Sequence, residues 1–385
     1  MLDRTITKRL TAGKKSVLIL GARQVGKTTL LQKLPLVKLI NLADEAIFIS
    51  YAKDPAKLIR EVNAMTGQGM IAIDEVQRVP KILNAVQVLI DDHSPFRFIL
   101  TGSSARKLKR GHANLLPGRI IIEYLDPLTI EEMGGEFDIE RALQLGSLPG
   151  IYLDRDSDMD LLESYAITYL KEEIQAEALT RSIGSYSRFL DIAAEASGQW
   201  INYSKLSNDA EIPKETIRRF FTILEDTLVA FRIPSFRPKR TRRRVSQRDR
   251  YIIFDTGVRN ALLKLHRSPL SPAEKGSIFE QFAILQTIYY NRSNKKGWEI
   301  FSYRTEGGAE VDFIIDAGDS LVAVECKAGR NVSEAELAGF KSFESVAHKP
   351  VKKYVIYQGE NRQQFSNKVL AVPIRDFFTS EIKKL

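Results

Sequence analysis

The sequence predicts an α/β protein in three successive parts, on three observations. Residues 17–31 read VLILGARQVGKTTLL, an apolar run, a glycine-bounded polar loop and then a helical pattern. Short apolar runs, LVKLINL, MIAIDE, RFILTG and RIIIEYL, follow at intervals with helical patterns between them, as buried parallel strands require. The pattern then turns mostly helical, and turns again to a long helix followed by strands. These changes divide the chain into residues 1–150, 151–265 and 266–385.

Composition agrees with several packed cores. The chain has 385 residues, 44% hydrophobic and 27% charged, enough for two or three domains. Its formal charge of +9 is uneven, because residues 237–250, RPKRTRRRVSQRDR, hold eight basic residues against one acidic. Such a patch points to a polyanionic partner, with a merely solvated face as the alternative. Cys326 is the single cysteine, which excludes an internal disulfide and a thiolate zinc cluster. His93, His112, His266 and His348 lack ligand spacing. The first residues, MLDRTITKRL, lack the apolar core of a signal peptide, and no run reaches the length of a membrane span. A cytoplasmic protein is expected.

The first part carries a phosphate-binding loop. Gly21, Ala22, Arg23, Gln24, Val25, Gly26, Lys27 and Thr28 match G-x-x-x-x-G-K-[ST] at every fixed position, with Thr29 following. The glycines let backbone N–H groups approach phosphate oxygens. Lys27 is expected to reach the β- and γ-phosphates and Thr28 to ligate Mg²⁺. MIAIDE ends a buried strand with Asp74, a candidate for the Mg²⁺ shell, and Glu75, a candidate base for the attacking water. FILTGSS ends another, with Thr101 or Ser103 placed to sense the γ-phosphate. Arg119 is a candidate arginine finger reaching a neighbouring subunit, and Arg23 a candidate phosphate contact; each is equally read as a solvent-exposed arginine.

In the second part, IPKETIRRFFTILEDT places Ile217, Phe220, Phe221 and Leu224 on one helical face after Pro213. Helices followed by the strands LVAFRIPSF and YIIFD outline a winged helix. Lys214, Arg218 and Arg219 would then lie on the exposed helix side, and Lys239, Arg240, Arg242, Arg243 and Arg244 in the wing, all as contacts to DNA. A helical lid with its arginines in solvent is the alternative.

The third part runs helix, three strands, helix, strand. Strand alternation sets Asp312 with Glu310 on one face of AEVDFIID, and Glu325 with Lys327 on one face of LVAVECKA. Asp312 and Glu325 on adjacent strands, with Glu280 from the preceding helix, are candidates to hold a second Mg²⁺ or Mn²⁺, and Lys327 to act beside it in phosphodiester hydrolysis. The alternative is a domain that has these residues and cuts nothing.

Taken together, GARQVGKTTLL, IAIDEVQRVP, FILTGSSARKL, ILEDTLVAF, FDTGVRNAL, GSIFEQF, AEVDFII and VECKAG make the chain resemble, over nearly its whole length, a prokaryotic family of two-part ATPases. In that family an AAA+ module precedes a domain related to PD-(D/E)xK restriction-endonuclease-like folds. The resemblance implies an ASCE-type sheet with the sensor strand between those of Gly21 and Asp74, ATP as nucleotide, and contact between identical subunits at the active site. It carries Lys27, Thr28, Asp74 and Glu75 over as ATPase residues, and Glu280, Asp312, Glu325 and Lys327 as the nuclease-like set. Two functional readings follow. One is an ATPase coupled to DNA binding and metal-dependent cleavage; the other is an ATP-dependent switch whose last domain is inactive and binds a protein partner.

Overall fold

The structure, a computed structural model, describes residues 2–103, 116–156, 158–166, 183–238, 245–333 and 337–385. It divides into two compact units: residues 1–127 with 226–229, and residues 128–225 with 230–385.

In the first unit, α1 (Thr7–Ala12) leads to β1 (Ser16–Leu20), the loop, and α2 (Lys27–Gln32). There follow β2 (Leu36–Asn41), α3 (Glu45–Lys53), α4 (Lys57–Asn63), β3 (Gly69–Asp74), α5 (Ile82–Asp91), β4 (Phe96–Gly102) and β5 (Ile120–Tyr124). All the expected strands are present, in one parallel sheet ordered β2-β3-β4-β1-β5. β1 is buried along its whole length, and Leu18, Leu20, Ile71, Ile73, Phe98 and Leu100 pack with Leu83, Val86 and Leu89 of α5. Both-face burial explains why the strands read as continuous apolar runs. Because all strands are parallel, their C-terminal ends form one edge, where ligands of open α/β sheets bind.

The second unit begins with α6 (Ile130–Met133), α7 (Ile139–Leu145), α8 (Pro149–Tyr152) and α9 (Asp158–Ser164). Then come α10 (Ile183–Glu195), α11 (Tyr203–Ala210) and α12 (Lys214–Asp226), followed by an antiparallel pair, β6 (Ala230–Ile233) with β7 (Arg250–Ile253). Ile217, Phe220, Phe221 and Leu224 of α12 are buried, as their spacing predicts, and the Phe221 ring packs tilted against Tyr251 of β7 with centroids 4.4 Å apart. After α13 (Thr256–Leu262), the long α14 (Pro272–Ser293) is buried on all sides over its middle turns, with a capping box from Ser271 and Glu274 at its start. The remaining strands are β8 (Glu299–Arg304), β9 (Glu310–Asp316), β10 (Leu321–Lys327), β11 (Val351–Tyr357), β12 (Gln363–Gln364) and β13 (Val369–Pro373). They form a mixed sheet ordered β12-β13-β11-β10-β9-β8, flanked by α15 (Ala338–Glu344) and α16 (Ile374–Thr379).

The compact units divide at 127, ahead of residue 150. Residues 128–150 pack within the second unit: Asp255 accepts hydrogen bonds from the Ser147 N–H at 2.7 Å and the Val258 N–H at 3.1 Å, and Asn260 Nδ2 donates to the Leu143 and Gln144 carbonyls. The Pro/Gly cluster near 148 marks the start of α8, with Pro149 in its first turn, rather than a linker. Burial pushes the Asp255 carboxyl up to about 6 against the pull of its donors. Asp255→Ala strands both N–H groups in the interior and is expected to cost about 2–4 kcal/mol. Hydrogen exchange of the α13 amides reads that loss directly.

Candidate active site and a second carboxylate centre

The loop after β1 is shaped by steric demands at two glycines. A Cβ on Gly21 would lie 2.2 Å from the Leu125 carbonyl oxygen, so only hydrogen fits there. Gly26 sits at φ +93, and Gln24 at φ +61, so the chain turns through left-handed positions twice within the loop. Such a curl turns successive N–H groups toward one concave side, the arrangement that receives phosphate oxygens. Arg4 braces it from outside: Nη1 donates to the Val25 carbonyl at 2.8 Å and Nη2 to that of Asp126 at 2.5 Å. No feature of MLDR announced that role. Ala22 and Val25 are buried, Arg23 is half-buried, and Thr28 and Thr29 are exposed at the start of α2.

Lys27 is buried, and its ammonium group donates to the carbonyls of Gly21 and Ala22 at 2.9 Å each. Beside it, the Thr28 hydroxyl donates to Asp74 Oδ2 at 2.6 Å. The Thr101 hydroxyl donates to Asp74 Oδ1 and accepts from the Glu75 N–H at 3.1 Å. This contact exists because β4 lies between β3 and β1, which sets Thr101 next to Asp74 on one edge. Hydroxyl and carboxylate oxygens are hard donors suited to Mg²⁺, so Thr28 and Asp74 fit the metal that accompanies a nucleoside triphosphate.

Glu75 follows Asp74 in a left-handed conformation, φ +59, which turns its side chain away from the line of β3. Its carboxylate accepts a hydrogen bond from Gln77 Nε2, and Gln77 Oε1 accepts from the Ser103 N–H at 3.4 Å. Gln77 therefore ties the candidate base to the end of β4. The sequence shows DEVQ plainly, but this role depends on β4 being the neighbour. The Ser103 hydroxyl is buried with no hydrogen-bond partner among the described residues.

Arg119 stands apart from this chain's own loop. It immediately precedes β5, at the N-terminal edge of the parallel sheet, opposite the loop. There it forms a two-pronged ion pair with Asp91, at 2.6 and 3.0 Å.

In the second unit Glu280, Asp312, Glu325 and Lys327 do converge. Phe313 pairs with Val324 across β9 and β10, so the next step brings Asp312 opposite Glu325. Lys327 Nζ lies 3.5 Å from Glu325 Oε2, and Asp312 Oδ2 accepts from the Cys326 N–H at 2.7 Å. Burial, with the neighbouring Glu280 and Glu325 carboxylates, pushes Asp312 well above the usual carboxylate range. Burial takes Glu325 up to about 7, against the pull of Lys327. The Cys326 thiol is likewise pushed up by burial, which leaves it unreactive.

A fifth side chain enters this cluster. Arg250, buried at the start of β7, donates from Nη2 to Glu280, from Nη1 to the Asp312 carbonyl at 3.0 Å and from Nε to the Gly198 carbonyl at 2.6 Å. The sequence counts it as one more cation of the basic run; in the fold it is an internal counter-ion. Among the described residues no group of three or more His, Cys, Asp or Glu side chains is placed to hold a metal ion. Of the expected second Mg²⁺ or Mn²⁺ set of Glu280, Asp312 and Glu325, Glu280 is already paired with a guanidinium.

Of the expected DNA contacts, Lys214, Arg218 and Arg219 are exposed on α12, with Arg218 lying 4.7 Å over the Tyr203 ring. Lys239, Arg240, Arg242, Arg243 and Arg244 lie outside the described residues. No helix among the described residues is long and apolar enough to cross a membrane.

Sheet order, loop and carboxylate pair together define the first unit as a P-loop nucleotide-binding fold. Residues 13–134 match a family described as an AAA domain. Residues 136–268 and 275–377 match two families described as domains of unknown function. The chain is 27% identical to an uncharacterized protein of Mycobacterium tuberculosis, over 94% of this chain and 81% of that one. It is 23% identical to an uncharacterized protein of Methanocaldococcus jannaschii, over 90% and 82%. Among solved structures, a DNA polymerase III gamma subunit-related protein of Thermotoga maritima aligns with 58% of this chain and 100% of its own, at 13% identity and a TM-score of 0.26. PCH-2 of C. elegans aligns with 54% and 61%, at 15% identity and a TM-score of 0.24.

Proposed function

We propose that the chain hydrolyses ATP to ADP and phosphate with Mg²⁺ bound, and that turnover is coupled to DNA held by the second unit. The observation that carries the reading is the bridge from Thr28 through Asp74 to Thr101, with Glu75 beside it and Lys27 opposite. In this scheme the loop amides and Lys27 hold the β- and γ-phosphates, and Thr28 and Asp74 hold the Mg²⁺. Glu75 takes a proton from the water that attacks the γ-phosphorus, and ADP leaves as the bond to the β-phosphate breaks. Thr101 or Ser103 senses the γ-phosphate. In a homo-oligomer Arg119 of one copy serves the site of the next, exchanging Asp91 for phosphate.

Support for the DNA part is the exposed basic face of Lys214, Arg218 and Arg219 beside the antiparallel pair β6–β7, the outline of a winged helix. The Arg250–Glu280 pair favours a last domain that grips without cutting, the feature shared with the switch reading.

The test is steady-state ATPase assayed with and without duplex DNA across a salt series. Turnover is expected to rise with DNA in dilute salt, and the stimulation to fade steeply as salt increases. ATP turnover that ignores DNA at every salt concentration would overturn the coupling.

A further inference from the structure

The exposed cations of the second unit are not all on α12. Two cavities, of about 1040 and 490 Å³, share Gln247 and Arg248 in their walls and so lie side by side, together called the groove. Its basic lining comes from separate elements: Lys214 and Arg218 of α12, Arg232 of β6, Arg237 and Arg248 from the segments next to β6 and β7, and Arg304 of β8. Asp249 and Glu306 are the acids that line it, so the groove is strongly positive. Arg219, adjacent in sequence to Arg218, is not in the wall.

Pairing separates these cations into two kinds. Arg232 is tied to Asp249 at 2.6 Å, Arg304 lies 3.7 Å from Glu310, and Arg218 lies 3.7 Å from Glu215. The side chains of Lys214, Arg237 and Arg248 are exposed and make no hydrogen bond or ion pair with a described residue. The backbone beside Arg237 and Arg248 is held. Phe236 N donates to the Ser302 carbonyl at 2.8 Å and Ser246 N to that of Arg304 at 2.8 Å, which pins both segments to the outer edge of β8.

We infer that this groove seats the sugar-phosphate backbone of a nucleic acid, with Lys214, Arg237 and Arg248 each taking a phosphate. The inference rests on the DNA reading above and specifies its surface. Unpaired cations held on several rigid elements along one groove suit a chain of regularly spaced anions, whereas a single nucleotide would meet only one or two of them. Contacts of this kind position the backbone and give affinity without reading sequence.

The experiment measures fluorescence anisotropy of labelled 20-base duplex and single-stranded DNA, titrated with the full chain from low to moderate salt. For the triple variant Lys214→Ala/Arg237→Ala/Arg248→Ala, the slope of log affinity against log salt on duplex is expected to shrink by about 0.9 for each lost contact. Arg248→Ala alone should remove about one such step, and Lys341→Ala, an exposed lysine of α15 outside the groove, none. Thermal melting of the triple variant should match wild type, since exposed substitutions cost about 0.5 kcal/mol or less. A triple variant that binds with unchanged slope would overturn the groove while leaving DNA binding intact. Wild type that binds neither DNA would overturn the DNA reading itself, and with it the groove. Displacement of bound DNA by polyglutamate at equal charge concentration would reassign the groove to acidic protein and also count against it.

Discussion

Replacing Glu75 by glutamine drops ATP turnover by about 100-fold or more while leaving MgATP affinity within about threefold. The expected split comes from where Glu75 sits. Its neighbours Lys27, Thr28 and Asp74 contact one another directly or through the loop and provide the ground-state cradle. Glu75 stands outside that set, held by Gln77 and by its own N–H on Thr101. Glutamine is nearly isosteric and keeps those contacts, yet it cannot accept the proton of the attacking water. Single-turnover hydrolysis beside equilibrium binding of ATP separates the two effects. Equal losses in binding and turnover would remove Glu75 from the role of base and make it part of the cradle.

Arg250→Met is expected to destabilise the second unit by about 3–5 kcal/mol, because Glu280 then stays in the interior with no guanidinium to meet it. The pH dependence gives the prediction a sign. Burial holds Glu280, Asp312 and Glu325 above their ordinary values, so the fold binds protons there more tightly than the unfolded chain does. Stability from these groups is therefore fully present at acid pH and declines as pH rises through their folded values, for Glu325 between about 4.5 and about 7. Removing Arg250 takes away the charge that pulls Glu280 down, so Glu280 gains still more from protonation. The variant's deficit should be larger at pH 8 than at pH 5, read by thermal melting monitored in the second unit. A variant that melts like wild type at both values would show that Arg250 is no counter-ion to this cluster.

How much of this was readable beforehand depends on the kind of signal. The parallel strands of the first unit were legible because burial on both faces leaves uninterrupted apolar runs, and the loop because its glycines answer to backbone geometry. Asp312, Glu325 and Lys327 could be brought together from strand alternation alone. Arg119 opens RIIIEYL, and the start of a parallel strand lies on the edge away from the chain's own phosphate loop. Arg250 could not be separated from the other arginines of its run, since a count of charge is blind to which one begins a buried strand. Arg4 and Gln77 act through contacts with residues distant in the chain or on a neighbouring strand, and no local pattern encodes them. The break at 127 was likewise hidden, because Gly146 and Pro149 look like a linker and instead shape a turn and a helix start packed against α13.

Calorimetric titration of MgATP into wild type and Lys27→Ala tests the central claim most directly. The account predicts saturable binding of one nucleotide per chain by wild type, and at least a hundredfold weaker binding by the variant, about 3 kcal/mol. No binding by wild type, or binding that the lysine substitution leaves unchanged, would contradict it.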